Sequence, residues 1–255
     1  MKFLKKIYVY LAFIFLYAPI LILMVYSFNN SKSRGVWGGW TLKWYAQMFA
    51  DTNVVSSLKV TLIVALIAAV IATVIGTVAS LGLHFMKGRK RAWIMNITYI
   101  PVVQPDIIMG VSLMLLFIFI RVPKGYGTLI LAHITFNIPF VILSVLPKLK
   151  QLNPHLFEAA EDLGASVWTT LWRVVLPEIK TGVMAGFLLA ITLSLDDFVV
   201  SYFVSGAGVN TLSVTIYAMA RKGISPSINA LSTILFVVVM VMLIVVNRKP
   251  KSSSR

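Results

Sequence analysis

The sequence predicts an all-α, polytopic membrane protein with six transmembrane helices, and three observations lead there. Of 255 residues, 59% are hydrophobic and only 12% are charged, with a mean hydropathy of +0.90 that an ordinary water-soluble domain does not reach. Apolar runs of roughly 20 residues, enough to cross a bilayer, occur at about 7–27, 58–83, 93–120, 127–146, 181–203 and 228–247. They are too long and too uniformly apolar for barrel strands, so helices are expected. Finally, the basic residues are shared unevenly between alternate connections. With both termini inside, 15 of the 23 Lys and Arg fall on the inner side, including Lys5, Lys6, Arg89, Arg91, Lys148 and Arg248. That asymmetry places both termini in the cytoplasm.

The first run follows Lys2, Lys5 and Lys6 in the manner of a signal peptide, but continues through YAPILILMVYSF without a small-residue cleavage pattern. It reads as an uncleaved first span. A net charge of +15 would suggest nucleic acid as a partner for a soluble protein. Here the cations flank spans, where anionic lipid headgroups attract them, and no basic domain stands apart from the membrane. There is no cysteine, so thiolate metal sites and disulfides are excluded.

After the first span comes an outer segment, about 28–57, with Trp37, Trp40, Trp44 and Tyr45 close together. Such rings are interfacial anchors, and Trp44, within TLKWYAQMF, is a candidate to line the outer mouth and attract a cation through its π face. In the second span, Gly76 and Gly82 suit close helix packing. The third run carries PVVQPDIIMG, in which Pro105 cannot donate to the carbonyl of Pro101 and is expected to break the helix just before Asp106. A carboxylate beside freed carbonyls at membrane depth suits a cation.

Between the fourth and fifth runs lies the one inner connection with structure of its own, PKLKQLNPHLFEAAEDLGASVWTTLWRVVLPEIK at 147–180. Asn153 and Pro154 read as a helix cap and first position. Gly164 fits the left-handed end of that helix, Ser166 caps a second short helix through Trp172, and Leu176–Pro177 closes it. The expected product is a rigid helix-turn-helix peg. The whole chain, 1–255, is expected to form a single transmembrane domain with this loop inside it.

The fifth run contains SLDDFVVSYF. Ser194, Asp197, Ser201 and Ser205 are spaced by three and four, which puts them on one stripe of a continuous helix, with Asp196 about 100° away. Of eight acidic residues, only Asp106, Asp196 and Asp197 fall within spans, and unpaired intramembrane carboxylates are functional-site candidates. Capping of broken helices is the structural alternative for them. His84, His133 and His155 show no metal spacing and read as loop-flanking or packing groups. No GxxxxGK[ST] phosphate loop occurs. A membrane-embedded enzyme would need a nucleophile with a base or a metal cluster, neither of which is evident, and a passive channel would not need a cytoplasmic peg.

The pattern Glu158, Ala159, Ala160, then Gly164, then Leu176 and Pro177, resembles the EAA loop of permease subunits of bacterial ATP-driven importers. More finely, YSFNNSK, QPDIIMGVSLMLLF, HITFNIPFVI, FEAAEDLGAS, TLSLDDFVVSYFVSG and SPS in the last outer loop resemble the spermidine/putrescine permeases of the PotC type over nearly the whole chain. The resemblance implies the type I ABC importer permease (MetI-like) architecture, and alternating access in a bacterial plasma (inner) membrane. It also implies a homologous PotB-type permease, two ATP-binding subunits that hold ATP and Mg, and an extracytoplasmic polyamine-binding protein. Glu158, Ala159, Ala160 and Gly164 would then form the ATPase-coupling helix, and this chain would hold no cofactor. Polyamines carry several ammonium groups on an apolar stem, so a pathway would combine Asp106, Asp196 and Asp197 with the walls of Trp44, Phe198, Tyr202 and Phe203.

Overall fold

A computed structural model describes the backbone of residues 2–33, 35–153, 155–221 and 226–247, and side chains from residue 6 onward except 239 and 242–247. Pro154, Arg34, Lys222, Ser225 and the basic residues after Asn247, on which expectations fall, lie outside the described residues. The chain divides into two compact units, residues 57–214 and residues 1–56 with 215–255.

In the second of these units, α1 (Lys2–Tyr26), α2 (Lys43–Ala50) and α12 (Pro226–Asn247) carry the structure, with α12 packed on α1 and α2. The loop from α1 to α2 folds around Asn29, which is 1% exposed. Its Oδ1 accepts from Ser31 N and Gly38 N, and its Nδ2 donates to Val36 O at 2.8 Å. Ser27 Oγ and Tyr45 Oη, 2.6 Å apart, tie the end of α1 to α2. Asp51 ends α2 and caps α3, accepting from Asn53 N at 2.9 Å. Large side chains such as Tyr8, Phe15 and Leu16 on α1 are exposed, as hydrocarbon contact requires.

The central unit contains most of α3 (Thr52–Phe85), then α4 (Gly88–Val103), α5 (Asp106–Phe119), α6 (Tyr126–Lys150), α7 (His155–Asp162), α8 (Val167–Thr170), α9 (Leu176–Asp196), α10 (Val199–Val204) and the start of α11 (Leu212–Arg221). Helix α6 is its axis, packed on α9 along much of its length. The close approach is made possible by Gly182 and Gly186, one turn apart on α9. A Cβ at Gly182 would lie 2.7 Å from Lys148 Cγ, and one at Gly186 3.3 Å from Val141 Cα. Gly76 does the same for α3, where a Cβ would stand 2.6 Å from Val141 Cγ1. Gly82 meets nothing within 4 Å, so its expected packing role is corrected.

All six apolar runs are helical, but two are interrupted. Among the described residues, four helices are long and apolar enough to cross a membrane: Lys6–Tyr26, Thr52–Phe85, Tyr126–Lys150 and Val167–Asp196. The third run is the pair α4 and α5, bent by 107° at Gln104–Pro105, and makes a fifth candidate if the pair is one span. Both break residues have extended backbone, the geometry that proline favours for itself and its predecessor. Helix α5 alone, with 14 residues, is about 21 Å long and too short to span. The sixth run is α12, whose shorter apolar stretch is Pro226–Val238.

The fifth run also departs from expectation. Leu176–Pro177 does not close the second helix of the loop: α8 passes through a π-helical turn, Leu171–Val175, straight into α9. Pro177 sits in the first turn of α9, where a missing N–H is least harmful.

Candidate functional site

The acidic site is built where two helices stop. Asp106 occupies the first turn of α5, directly after the Pro105 break. Asp196 is the last residue of α9, and Asp197 has extended backbone with φ −60° and ψ 121° before the chain restarts as α10. The expected stripe of Ser194, Asp197, Ser201 and Ser205 on one unbroken helix is therefore corrected. What ends α9 is a local competitor for the backbone: the Asp197 carboxylate accepts from Val200 N at 3.2 Å and from Ser201 N at 2.7 Å. These are two of the donors that the start of α10 leaves without helical acceptors.

Helix α10 packs on α5 at Gly110, where a Cβ would lie 2.9 Å from Phe203 Cδ2 and 3.3 Å from both Val199 O and Val200 Cα. That contact joins the two breaks in space. Asp106 and Asp197 both lie within electrostatic reach of Asp196, although Asp106 is ninety residues earlier in the chain. Asp106 and Asp196 are exposed, whereas the Asp197 side chain is 10% exposed.

Of the aromatic residues proposed as walls, Tyr202 is 48% exposed and its ring lies 5.6 Å from that of Phe198. Phe203 is half-buried against Gly110 and the core of Val64, Leu113 and Val200, so it is a packing group. Trp44 is corrected as well. It is 3% exposed, donates from Nε1 to Asn29 O at 2.7 Å, and has Lys43 Nζ 4.5 Å from its ring centroid. Its π face already holds a cation from its own helix, and the ring organises the loop around Asn29 instead of presenting a wall.

Sequence reasoning missed the polar residues of α6 behind the break. His133 and Asn137 are completely buried. His133 Nε2 lies 3.1 Å from Ser201 Oγ and 3.5 Å from Asp197 Oδ2, and Asn137 Nδ2 donates to Ser194 Oγ at 2.7 Å. Nearer the other end of α6, Thr128 Oγ1 donates to Val204 O at 2.9 Å. The available signal was HITFN: His133 and Asn137 are four residues apart in an apolar run, on one helix face.

The connection 147–180 is a separate candidate surface. Asn153 Oδ1 accepts from His155 N at 3.0 Å, capping α7. Gly164, at φ +75°, ends it with Gly164 N donating to Glu161 O and Ala165 N to Ala160 O, the paired bonds of a Schellman motif. Ser166 Oγ accepts from Thr169 N, capping α8 as expected. Phe157 stacks on His84 and meets Phe85 edge-on at the end of α3, which anchors α7. Ala160 is buried, while Glu158, Ala159 and Gly164 are exposed, and His155 Nδ1 is 2.8 Å from Glu158 Oε2. Beside them Leu163, Val167, Trp168 and Trp172 are exposed by 88%, 64%, 72% and 65%, an apolar patch at the start of the Val167–Asp196 segment.

The chain is 39% identical over 242 residues to the spermidine/putrescine transport system permease protein PotC of Escherichia coli (strain K12), covering 95% of this chain and 90% of that protein. It is 38% identical over 232 residues to the putrescine transport system permease protein PotI of the same organism, covering 88% and 83%. In fold it matches a chain in the crystal structure of a bacterial ABC transporter involved in import of the acidic polysaccharide alginate, with a TM-score of 0.73 at 13% identity over 96% of this chain and 93% of that one. Residues 72–248, from the middle of α3 past the end of α12, match the family model, and the chain belongs to the binding-protein-dependent transport system inner membrane components.

Proposed function

We propose that this chain is the permease subunit of an ATP-driven polyamine importer, providing half of a translocation pathway that opens alternately to either side of the membrane. The observation that carries the cargo assignment is the gathering of Asp106, Asp196 and Asp197 at two adjoining helix breaks, in a chain 39% identical to a spermidine/putrescine permease. Separated carboxylates are acceptors for separated ammonium groups, and the exposed Tyr202 ring with the half-buried Phe198 ring suits the apolar stem between them. A small number of such acceptors permits release as well as entry.

The peg at 147–180 is the coupling element. Its two capped helices are held at a fixed turn, and its exposed Leu163, Val167, Trp168 and Trp172 offer an apolar surface to a partner. That partner is an ATP-binding subunit, which supplies the phosphate loop this sequence lacks and holds ATP with Mg. Because α8 continues through a π turn into α9, a push on the peg reaches the Asp196–Asp197 break along one helical element. A second, PotB-type permease completes the pathway, a polyamine-binding protein delivers cargo from outside, and both termini of this chain face the cytoplasm.

The test is uptake of radiolabelled spermidine by the complete complex in proteoliposomes loaded with ATP. Asp106→Asn and Asp196→Asn are expected to reduce uptake at least tenfold in complexes that still assemble. Normal uptake by both variants would refute the pathway.

A further inference from the structure

We propose that His133 is a positioning residue for cargo transfer: from inside α6 it holds the Asp197–Ser201 corner and so sets the direction in which Asp196 presents its carboxylate. The proposal rests on the acidic breaks forming the cation pathway, and it divides the work of the two adjacent aspartates.

His133 and Ser201 are both fully buried. Nε2 faces Ser201 Oγ at 3.1 Å and Asp197 Oδ2 at 3.5 Å, whereas Nδ1 is buried with no partner among the described residues. A buried N–H without an acceptor is rarer and costlier than an unused lone pair, so the imidazole proton belongs on Nε2, donated to Ser201 Oγ with the carboxylate alongside. Ser201 N in turn donates to Asp197 Oδ2 at 2.7 Å. The result is a closed ring of three residues, completed by the Ser201 backbone N–H. One helical turn along α6, Asn137 holds Ser194, so α6 grips the chain on both sides of the break.

Asp197 is thereby committed. Its two oxygens hold Val200 N and Ser201 N, and with its side chain only 10% exposed it serves the start of α10 and not cargo. Asp196, at the exposed end of α9 beside Asp106, bonds its own backbone and not the start of α10, and is the cargo ligand. Its direction depends on the short link between Ser194 and Ser201, whose ends α6 fixes.

The experiment uses the assembled complex in ATP-loaded proteoliposomes with His133→Phe, which keeps a ring without a donor, and His133→Gln, which restores an amide donor at similar reach. Half-saturating spermidine concentration is expected to rise about tenfold in His133→Phe, with ATP hydrolysis retained, and to return within about twofold of wild type in His133→Gln. Hydrogen exchange over residues 198–204 is expected to accelerate about five- to tenfold in His133→Phe alone. In an Asp196→Asn background, His133→Phe should change half-saturation no further, because nothing remains to be positioned. A silent His133→Phe beside a defective Asp196→Asn overturns this proposal and leaves the pathway reading standing, as does an equal loss in both backgrounds. If Asp196→Asn is itself silent, the proposal falls together with the pathway.

Discussion

Substituting Gly110 tests the contact on which the acidic site depends. An alanine Cβ there would lie 2.9 Å from Phe203 Cδ2 and 3.3 Å from Val199 O and Val200 Cα. The phenyl ring can retreat, but the two other atoms are backbone of α10, so relief requires the helix itself to move. Restoring ordinary carbon contacts of at least about 3.5 Å means a shift of roughly half an ångström at the ring and a few tenths at the backbone. Overpacking of this kind costs about 1–3 kcal/mol. It also separates Asp106 from the Asp196–Asp197 break, since Gly110 is one turn from Asp106 on α5. Gly110→Ala is therefore expected to lower the midpoint of thermal unfolding of the detergent-purified complex by a few degrees and to reduce spermidine uptake several-fold. Gly110→Val, with two further methyl groups against α10, should be worse on both measures. Wild-type melting and uptake in Gly110→Val would show that α5 and α10 do not pack through this glycine.

Gly182→Leu drives a branched side chain into Lys148 and the Ser144 carbonyl of α6. It is expected to abolish accumulation of folded permease, read by detergent-solubilised yield and size-exclusion profile, while Gly82→Leu, with open space around it, leaves both unchanged. Gly164→Ala forces a Cβ into a left-handed conformation at φ +75° and should destabilise the end of α7 by about 1–2 kcal/mol. The readouts are faster hydrogen exchange over residues 159–166 and weaker copurification of the ATP-binding subunit; unchanged exchange would refute the Schellman geometry.

Much of this molecule was legible as pattern. Apolar run lengths located helical segments because hydrocarbon leaves unpaired backbone groups nowhere to go. Asn153, Gly164 and Ser166 announced the peg because capping and left-handed turns are local chemistry, decided within four or five residues. Pro105 announced the α4–α5 break for the same reason. The Asp197 break was not announced, since nothing in SLDDFVV forbids a continuous helix. It exists because a carboxylate satisfied by Val200 N and Ser201 N, and flanked by His133, is more stable there than one more turn of α9. Trp44 misled for a related reason: an aromatic-rich outer segment describes a membrane interface, but a single buried bond to Asn29 O turned that ring inward.

By itself, then, the sequence determined the class of protein, the approximate position of its helices, the capped helix-turn-helix peg and which carboxylates lie within the apolar runs, because each follows from composition or from neighbours a few residues apart. Only the tertiary structure decided that α5 and α10 meet at Gly110, that His133 stands behind Asp197, and that Asp196 and Asp197 do different work. Those facts depend on side chains separated by about 65 to 95 residues, and which partners a buried polar group finds is fixed only once the helices have packed.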